Sequence, residues 1–169
     1  MRKDFAKRGI TLPAFGDYAV GMVFLPRDPT KCDLAAASIE KAIDQEGQIL
    51  IGWRDVPVDN GVLGESVKEN EPIIRQVLIQ RGPETSDTDA FQRKLYVIRK
   101  QAHHALWDKN ATAWQDFYVV SMSARTIVFK GMVLAPNLSK FYLDFQNPDF
   151  KTAVALFHQR FSTNTFPSW

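Results

Sequence analysis

The segment His158 to Trp169 (HQRFSTNTFPSW) gathers one arginine, one asparagine and four serine or threonine residues directly after an apolar stretch, Ala153 to Phe157. A strand that ends in this way presents hydroxyl and amide groups around a single guanidinium. Such a fork grips a carboxylate through two parallel N–H···O bonds while small polar side chains fix its orientation. Arg160, Ser162, Thr163 and Asn164 are therefore the candidate substrate-binding residues. The competing reading is an ordinary polar terminal segment.

Other reactive side chains point to less. His103 and His104 are adjacent on a predicted helix, where neighbours project about 100° apart and do not converge on one metal as i,i+4 residues would; they read as surface or half-buried structural histidines. Cys32 falls in the first turn of a predicted helix, where the dipole lowers a thiol's pKa, but no histidine lies near it in sequence, so a partly buried structural cysteine is the expectation. Trp53, Trp107, Trp114 and Trp169 are scattered and read as core anchors and a terminal loop residue. Arg93-Lys94 and Arg99-Lys100 read as a solvated helix face. The sequence has no glycine-rich phosphate loop, nucleophile elbow or zincin pattern, and no metal site is expected.

The elements that must hold these residues follow from pattern. Tyr18 to Leu25 is a short apolar run closed by Pro26, a buried strand, and Gln48 to Trp53 is a second. Pro72 to Gln80 lacks clean alternation, and its Ile-Ile and Val-Leu-Ile pairs suit a strand covered on both faces. Phe117 to Val120 and Thr126 to Leu134 read as two antiparallel strands around Ser121 to Arg125, with Pro136 stopping the second. Asp28-Pro29 opens a helix whose apolar stripe is Ala35, Ile39, Ala42 and Ile43, and Gly47 ends it. A second helix starts near Ser86-x-x-Asp89 and buries Phe91, Leu95, Ile98, Ala102, Ala105 and Leu106. Its early acidic and later basic residues agree with the helix dipole. Residues 56–64 and 82–89 are loops, not linkers. The whole is an α/β or α+β chain.

Composition bounds the partners. With 169 residues, a single domain spanning 1–169 is expected. Lys and Arg total 21 against 19 Asp and Glu, which excludes a broad electrostatic footprint for nucleic acid or anionic membrane. The longest apolar run, Ala19 to Leu25, is far short of the roughly 20 residues that span a bilayer, and no signal peptide follows Met1. One cysteine forms no intramolecular disulfide. A cytoplasmic location is the expectation.

The His158 to Trp169 segment resembles a signature of the glutamate synthase large subunit, within its class II glutamine amidotransferase domain. So do Gly16 to Pro26 (GDYAVGMVFLP), Gly52 to Val58 (GWRDVPV), Glu71 to Gln76 (EPIIRQ), Phe91 to Lys100 (FQRKLYVIRK) and Arg125 to Met132 (RTIVFKGM), so the resemblance covers nearly the whole chain. It implies an α+β fold: part of an N-terminal-nucleophile hydrolase αββα sandwich, with antiparallel sheets between helical layers. It also implies that glutamine's side-chain amide is attacked by an N-terminal Cys whose own α-amino group is the base, with a later Asn-Gly segment holding the oxyanion. Ammonia released in this way serves glutamate synthesis from 2-oxoglutarate. By position Arg160 binds the substrate's α-carboxylate, beside Ser162, Thr163 and Asn164.

This sequence starts Met1-Arg2, Cys32 is internal and matches no catalytic position, and the Asn-Gly segment would follow Trp169. The chain alone is therefore expected to be catalytically incompetent, with no catalytic residue assigned. The family's FMN and iron–sulfur cluster are implied only for the full-length enzyme. Expected partners are weakly bound glutamine or glutamate, and the remaining glutamate synthase polypeptide or a second copy. The alternative is a non-catalytic module that binds an amino acid or docks on a protein.

Overall fold

The computed structural model describes residues 2–159, 164 and 169, with side chains described for all of these except 2 and 109–111. The chain divides into two units, Met1–Arg54 with Ile73–Phe129, and Asp55–Pro72 with Lys130–Trp169.

The first unit is α+β. Its sheet has the order β2-β3-β1-β4, with β1 at Tyr18–Leu25, β2 at Ile49–Asp55, β3 at Ile73–Gln80 and β4 at Tyr118–Ser123. β1 runs antiparallel to β3 from Tyr18↔Gln80 to Leu25↔Ile73, and antiparallel to β4, with a register shift between Met22 and Val23. β1 is apolar throughout because both of its faces are covered. Ala19, Val23 and Leu25 enter the larger core with Val77 and Ile79, while Val20 enters a second cluster with Leu78, Phe5 and Leu12. Phe5 belongs to the short helix α1, Arg2–Ala6. Next to it, Arg54 Nε donates to Asp4 at 2.8 Å and Arg54 Nη1 to the buried Gln76 at 3.0 Å.

Two long helices supply the rest of the larger core. α2 spans Pro29–Gln45, with Asp28 accepting from Lys31 N–H at 2.8 Å as its N-cap. It ends in a Schellman motif: Gln48 N–H donates to Ile43 O at 3.0 Å, and Gly47 takes φ +67°, where a side chain would be strained. α4 spans Thr88–Asn110. Ala35, Ile39, Ala42 and Ile43 of α2 share one cluster with Phe91, Leu95, Ile98, Ala102 and Leu106 of α4, and Trp53 packs against it. Trp53 Nε1 donates to Glu40 at 2.7 Å. Where α2 ends against α4, Glu46 accepts from Lys94 Nζ and Gln101 Nε2, each at 2.7 Å. Gln48, also buried, spans to the following loop, accepting from Gly82 N–H at 2.9 Å and donating to Thr85 at 2.9 Å.

Four expectations need correction. α4 is capped one residue away from the predicted pattern, by Asp87 accepting from Ala90 N–H at 2.7 Å. Ala105 is exposed, because one step before Leu106 it falls outside the buried stripe. β4 runs on through Ser121 to Ser123 instead of turning there. Thr126 to Leu134 forms no strand: the hydroxyl of Ser121 takes Val128 N–H at 3.1 Å and that of Ser123 takes Thr126 N–H at 3.2 Å, so side chains hold groups that a ladder would have used. Gln92 fixes the bend before it, its Oε1 accepting from Ala124 N–H at 2.6 Å.

The second unit is built on short pieces: a 3-10 turn at Asn60–Val62, α3 at Glu65–Lys68, α5 at Leu138–Phe141 and a 3-10 turn at Leu143–Gln146. Residues 57–59 pair with 141–143, through Asp59 N–H to Phe141 O at 2.8 Å and Leu143 N–H to Pro57 O at 3.1 Å.

Two consequences are measurable. Leu95→Ala removes a fully buried side chain, and a loss of about 2–5 kcal/mol is expected in chemical denaturation. An unchanged midpoint would show that the stripe is not the core. The hydrogen bond from Lys94 holds the Glu46 carboxyl below its ordinary 4.5. A depressed carboxyl contributes stability above its unfolded value and loses it as pH falls through the folded one. The stability gap between the wild type and Glu46→Gln should thus be constant above about pH 5.5 and close in more acidic solution. A gap independent of pH would contradict the ion pair.

Candidate functional site

The predicted carboxylate fork depends on the segment from residue 151 onwards. Its lead-in, Ala153 to Phe157, is not a strand: Val154, Leu156 and Phe157 are 75%, 96% and 93% exposed, and among the described residues no strand pairs with them. That corrects the predicted geometry of a strand ending at the fork. Arg160, Ser162 and Thr163 lie outside the described residues, and Asn164 is exposed in a turn. Phe150 and Trp169, on either side of it, pack on aromatic rings. Phe150 lies edge-on to Phe145, with ring centroids 5.1 Å apart. Trp169 is half-buried 5.8 Å from Phe141 and against Gly131.

Those anchors belong to an aromatic cluster in which Phe141 and Tyr142 are wholly buried. Tyr142 stands edge-on to Phe141 at 4.8 Å, and its hydroxyl donates to Lys130 O at 2.6 Å. Burial, reinforced by Glu71, pushes the Tyr142 phenol well above its ordinary 10.0, so it remains a donor throughout the physiological range. Burial also lowers the Lys130 ammonium. Glu71 is itself buried and accepts from Asn60 Nδ2 at 3.3 Å. This Asn60-Gly61 pair, which sequence reasoning passed over, sits in a 3-10 turn with its amide engaged by Glu71. Sequence reasoning also passed over Gly131 and Tyr142 as parts of this cluster. The signal was the density of aromatic residues from Phe141 to Phe150.

The remaining candidates take structural places. His103 is half-buried and stacked on Trp107 at 4.7 Å, while His104 is exposed. Burial, then the charges of His104 and Lys100, lowers the His103 imidazole below its ordinary 6.5. The two imidazoles are edge-on at 5.9 Å. Cys32 lies in the core cluster with its N–H bonded to Asp28 O at 2.8 Å. As an internal residue it has no α-amino group to act as its base. Among the described residues no three His, Cys, Asp or Glu side chains converge. With one cysteine in the sequence, the ligand set of an iron–sulfur cluster is not met, and no glycine-rich cradle is present for a flavin phosphate. Among the described residues no helix is long and apolar enough to cross a membrane.

Comparison with known proteins places this arrangement. Residues 1–169 match the family described as glutamine amidotransferases class-II. The chain is 43% identical over 162 residues to the glutamate synthase (NADPH) large chain of Bacillus subtilis, covering 96% of this chain and 10% of that one. It is 42% identical over 165 residues to ferredoxin-dependent glutamate synthase 2 of Synechocystis, covering 98% and 10%. It is 38% identical over 174 residues to glutamate synthase (NADH) of Schizosaccharomyces pombe, covering 100% and 8%. The chain thus spans about a tenth of the length of these relatives. With the family matched from the first residue to the last, and an α+β unit of sheet and packed helices to carry it, the chain belongs to the class-II glutamine amidotransferases.

Proposed function

We propose that residues 1–169 form part of the glutaminase domain of a glutamate synthase, which releases ammonia from glutamine for glutamate synthesis from 2-oxoglutarate. The observation that carries this is the family match along the whole chain together with glutamate synthase relatives at about 40% identity. Within that domain this segment supplies substrate binding. Arg160 receives the α-carboxylate as a planar bidentate fork, and Ser162, Thr163 and Asn164 orient it. The attack on the amide requires a nucleophile with a free α-amino group as its base, and Cys32, buried and internal, does not provide one. A single buried cysteine outside any disulfide suits a reducing, cytoplasmic setting.

A second reading is favoured by one observation. Val154, Leu156, Phe157 and Leu134 are exposed apolar residues, which suits docking on the remaining synthase polypeptide or on a second copy. The chain would then serve as a non-catalytic module.

Incubation of the purified chain with glutamine should give no ammonia, because removing a nucleophile alone commonly costs several orders of magnitude in rate. L-glutamate should bind weakly; millimolar affinity corresponds to about 4 kcal/mol. Replacing Arg160 by Lys should abolish that binding, since a point charge does not reproduce the fork. Ammonia release that disappears in Cys32→Ala would overturn the assignment of roles. Binding that survives unchanged in Arg160→Lys would place the carboxylate elsewhere.

A further inference from the structure

We propose that Asn60-Gly61 is a self-modifying site, at which the chain closes a succinimide ring and sheds the Asn60 amide as ammonia. Both residues are exposed, at the start of the 3-10 turn Asn60–Val62 in the second unit. No other asparagine of the sequence precedes a glycine, and a glycine has no Cβ to shield its backbone nitrogen. Two carboxylates flank the reacting groups. Asp59 Oδ1 accepts from Gly61 N–H at 2.9 Å, so a base already sits on the nitrogen that becomes the nucleophile. Asp59 is itself held, its N–H donating to Phe141 O at 2.8 Å. A Cβ at position 61 would lie 2.9 Å from that same Asp59 oxygen, so any other residue there would push the carboxylate off the N–H. On the other side, Glu71 Oε2 accepts from Asn60 Nδ2 at 3.3 Å. That is longer than the about 2.7–3.2 Å of a well-made N–H···O bond, so the amide is held loosely enough to swing its carbon towards Gly61.

The step is a substitution with no change of oxidation state. Gly61 N attacks Asn60 Cγ and gives its proton to the Asp59 carboxylate. The bond from Cγ to the amide nitrogen then breaks, and that nitrogen leaves as ammonia with the proton Asp59 returns. Water opens the succinimide at either carbonyl, giving aspartate or isoaspartate at position 60. The ammonia is one per chain and needs no glutamine, which separates it from turnover. The product matters to the second unit because Asn60 is a donor to Glu71, a residue only 6% exposed. A carboxylate in place of the amide removes that donor and sets two like charges together where water screens them poorly. Isoaspartate also lengthens the backbone of a turn that is closed by Leu63 N–H donating to Asn60 O at 3.1 Å. Modification therefore loosens the turn and its tie to Glu71.

The test is ageing of the purified chain in mildly alkaline buffer, with peptide mass spectrometry reading amide, aspartate and isoaspartate at each asparagine. Asn60 should convert to a mixture of aspartate and isoaspartate while Asn70, Asn137 and Asn147 remain amides. Asp59→Asn keeps an oxygen on the Gly61 N–H but removes the base, and should slow the conversion about tenfold or more. Should Asp59→Asn disturb the turn, Asp59→Ser, another capping oxygen without basicity, decides. In concentrated urea, where the turn is lost, wild type and Asp59→Asn should react alike. Asn60→Asp, which mimics the product, should lower the midpoint of chemical denaturation, and Glu71→Gln in the same chain should restore it. An Asn60 amide that outlasts the ageing as the other asparagines do overturns the proposal. So does conversion at the wild-type rate in folded Asp59→Asn, or a slowing of the same size in urea. An unchanged midpoint in Asn60→Asp overturns the consequence drawn through Glu71.

Discussion

Phe91, Leu95, Ile98 and Ala102 are wholly withdrawn from water on one stripe of α4, in a cluster with Ile39 and Ile43 of α2 and with Val23, Val77 and Ile79 of the sheet. Burial of a large apolar side chain is worth about 1.5–3 kcal/mol, so this stripe is a large favourable contribution to the first unit. The polar contacts around it are consequences of that packing. Glu46 meets Lys94 and Gln101 because α2 ends beside α4. Trp53 reaches Glu40 because β2 borders the same core. These bonds fix register more than they add stability, since an isolated ion pair near the surface contributes little.

The second unit relies on a different device. Its regular pieces are only a few residues long, and short helices are marginal on their own. Aromatic contacts take over, from Phe141 through Tyr142 and Phe145 to Phe150, and from Phe141 to Trp169. The one strongly perturbed phenol in this cluster, Tyr142, is a buried donor to a backbone carbonyl. Its hydroxyl holds the Lys130 carbonyl in place, a structural support. The family match extends across both units.

Structure is legible in the sequence where local chemistry and burial agree. β1 was readable because an apolar run closed by Pro26 is covered on both faces, and α2 because Asp28, Pro29 and Gly47 mark its ends. Phe91, Leu95 and Ile98 were readable from spacing alone. Two of the failures share a cause. Thr126 to Leu134 carries a strand-like pattern, but strands form by pairing, and here the Ser121 and Ser123 hydroxyls take the N–H groups instead. Ala153 to Phe157 carries the same signal with no partner strand. Ala105 is a one-residue error in helical phase, too small for apolar spacing to resolve when Leu106 is adjacent. The site proposed at Arg160 rests on the ordered blocks of family resemblance, not on periodicity. Trp169 was legible as an aromatic residue, but its partner Gly131 was not, because lack of a side chain leaves no pattern.

The most direct measurement of the central claim is glutamine kinetics in a longer protein. The matching segment of the Bacillus subtilis large chain would be replaced by these 169 residues, with and without Arg160→Lys, and ammonia release followed against glutamine concentration. If Arg160 receives the carboxylate, the exchanged protein hydrolyses glutamine and Arg160→Lys raises KM by tenfold or more, about 1.4 kcal/mol, with the fold unchanged. A folded Arg160→Lys protein with the same KM and kcat as its parent would contradict the account.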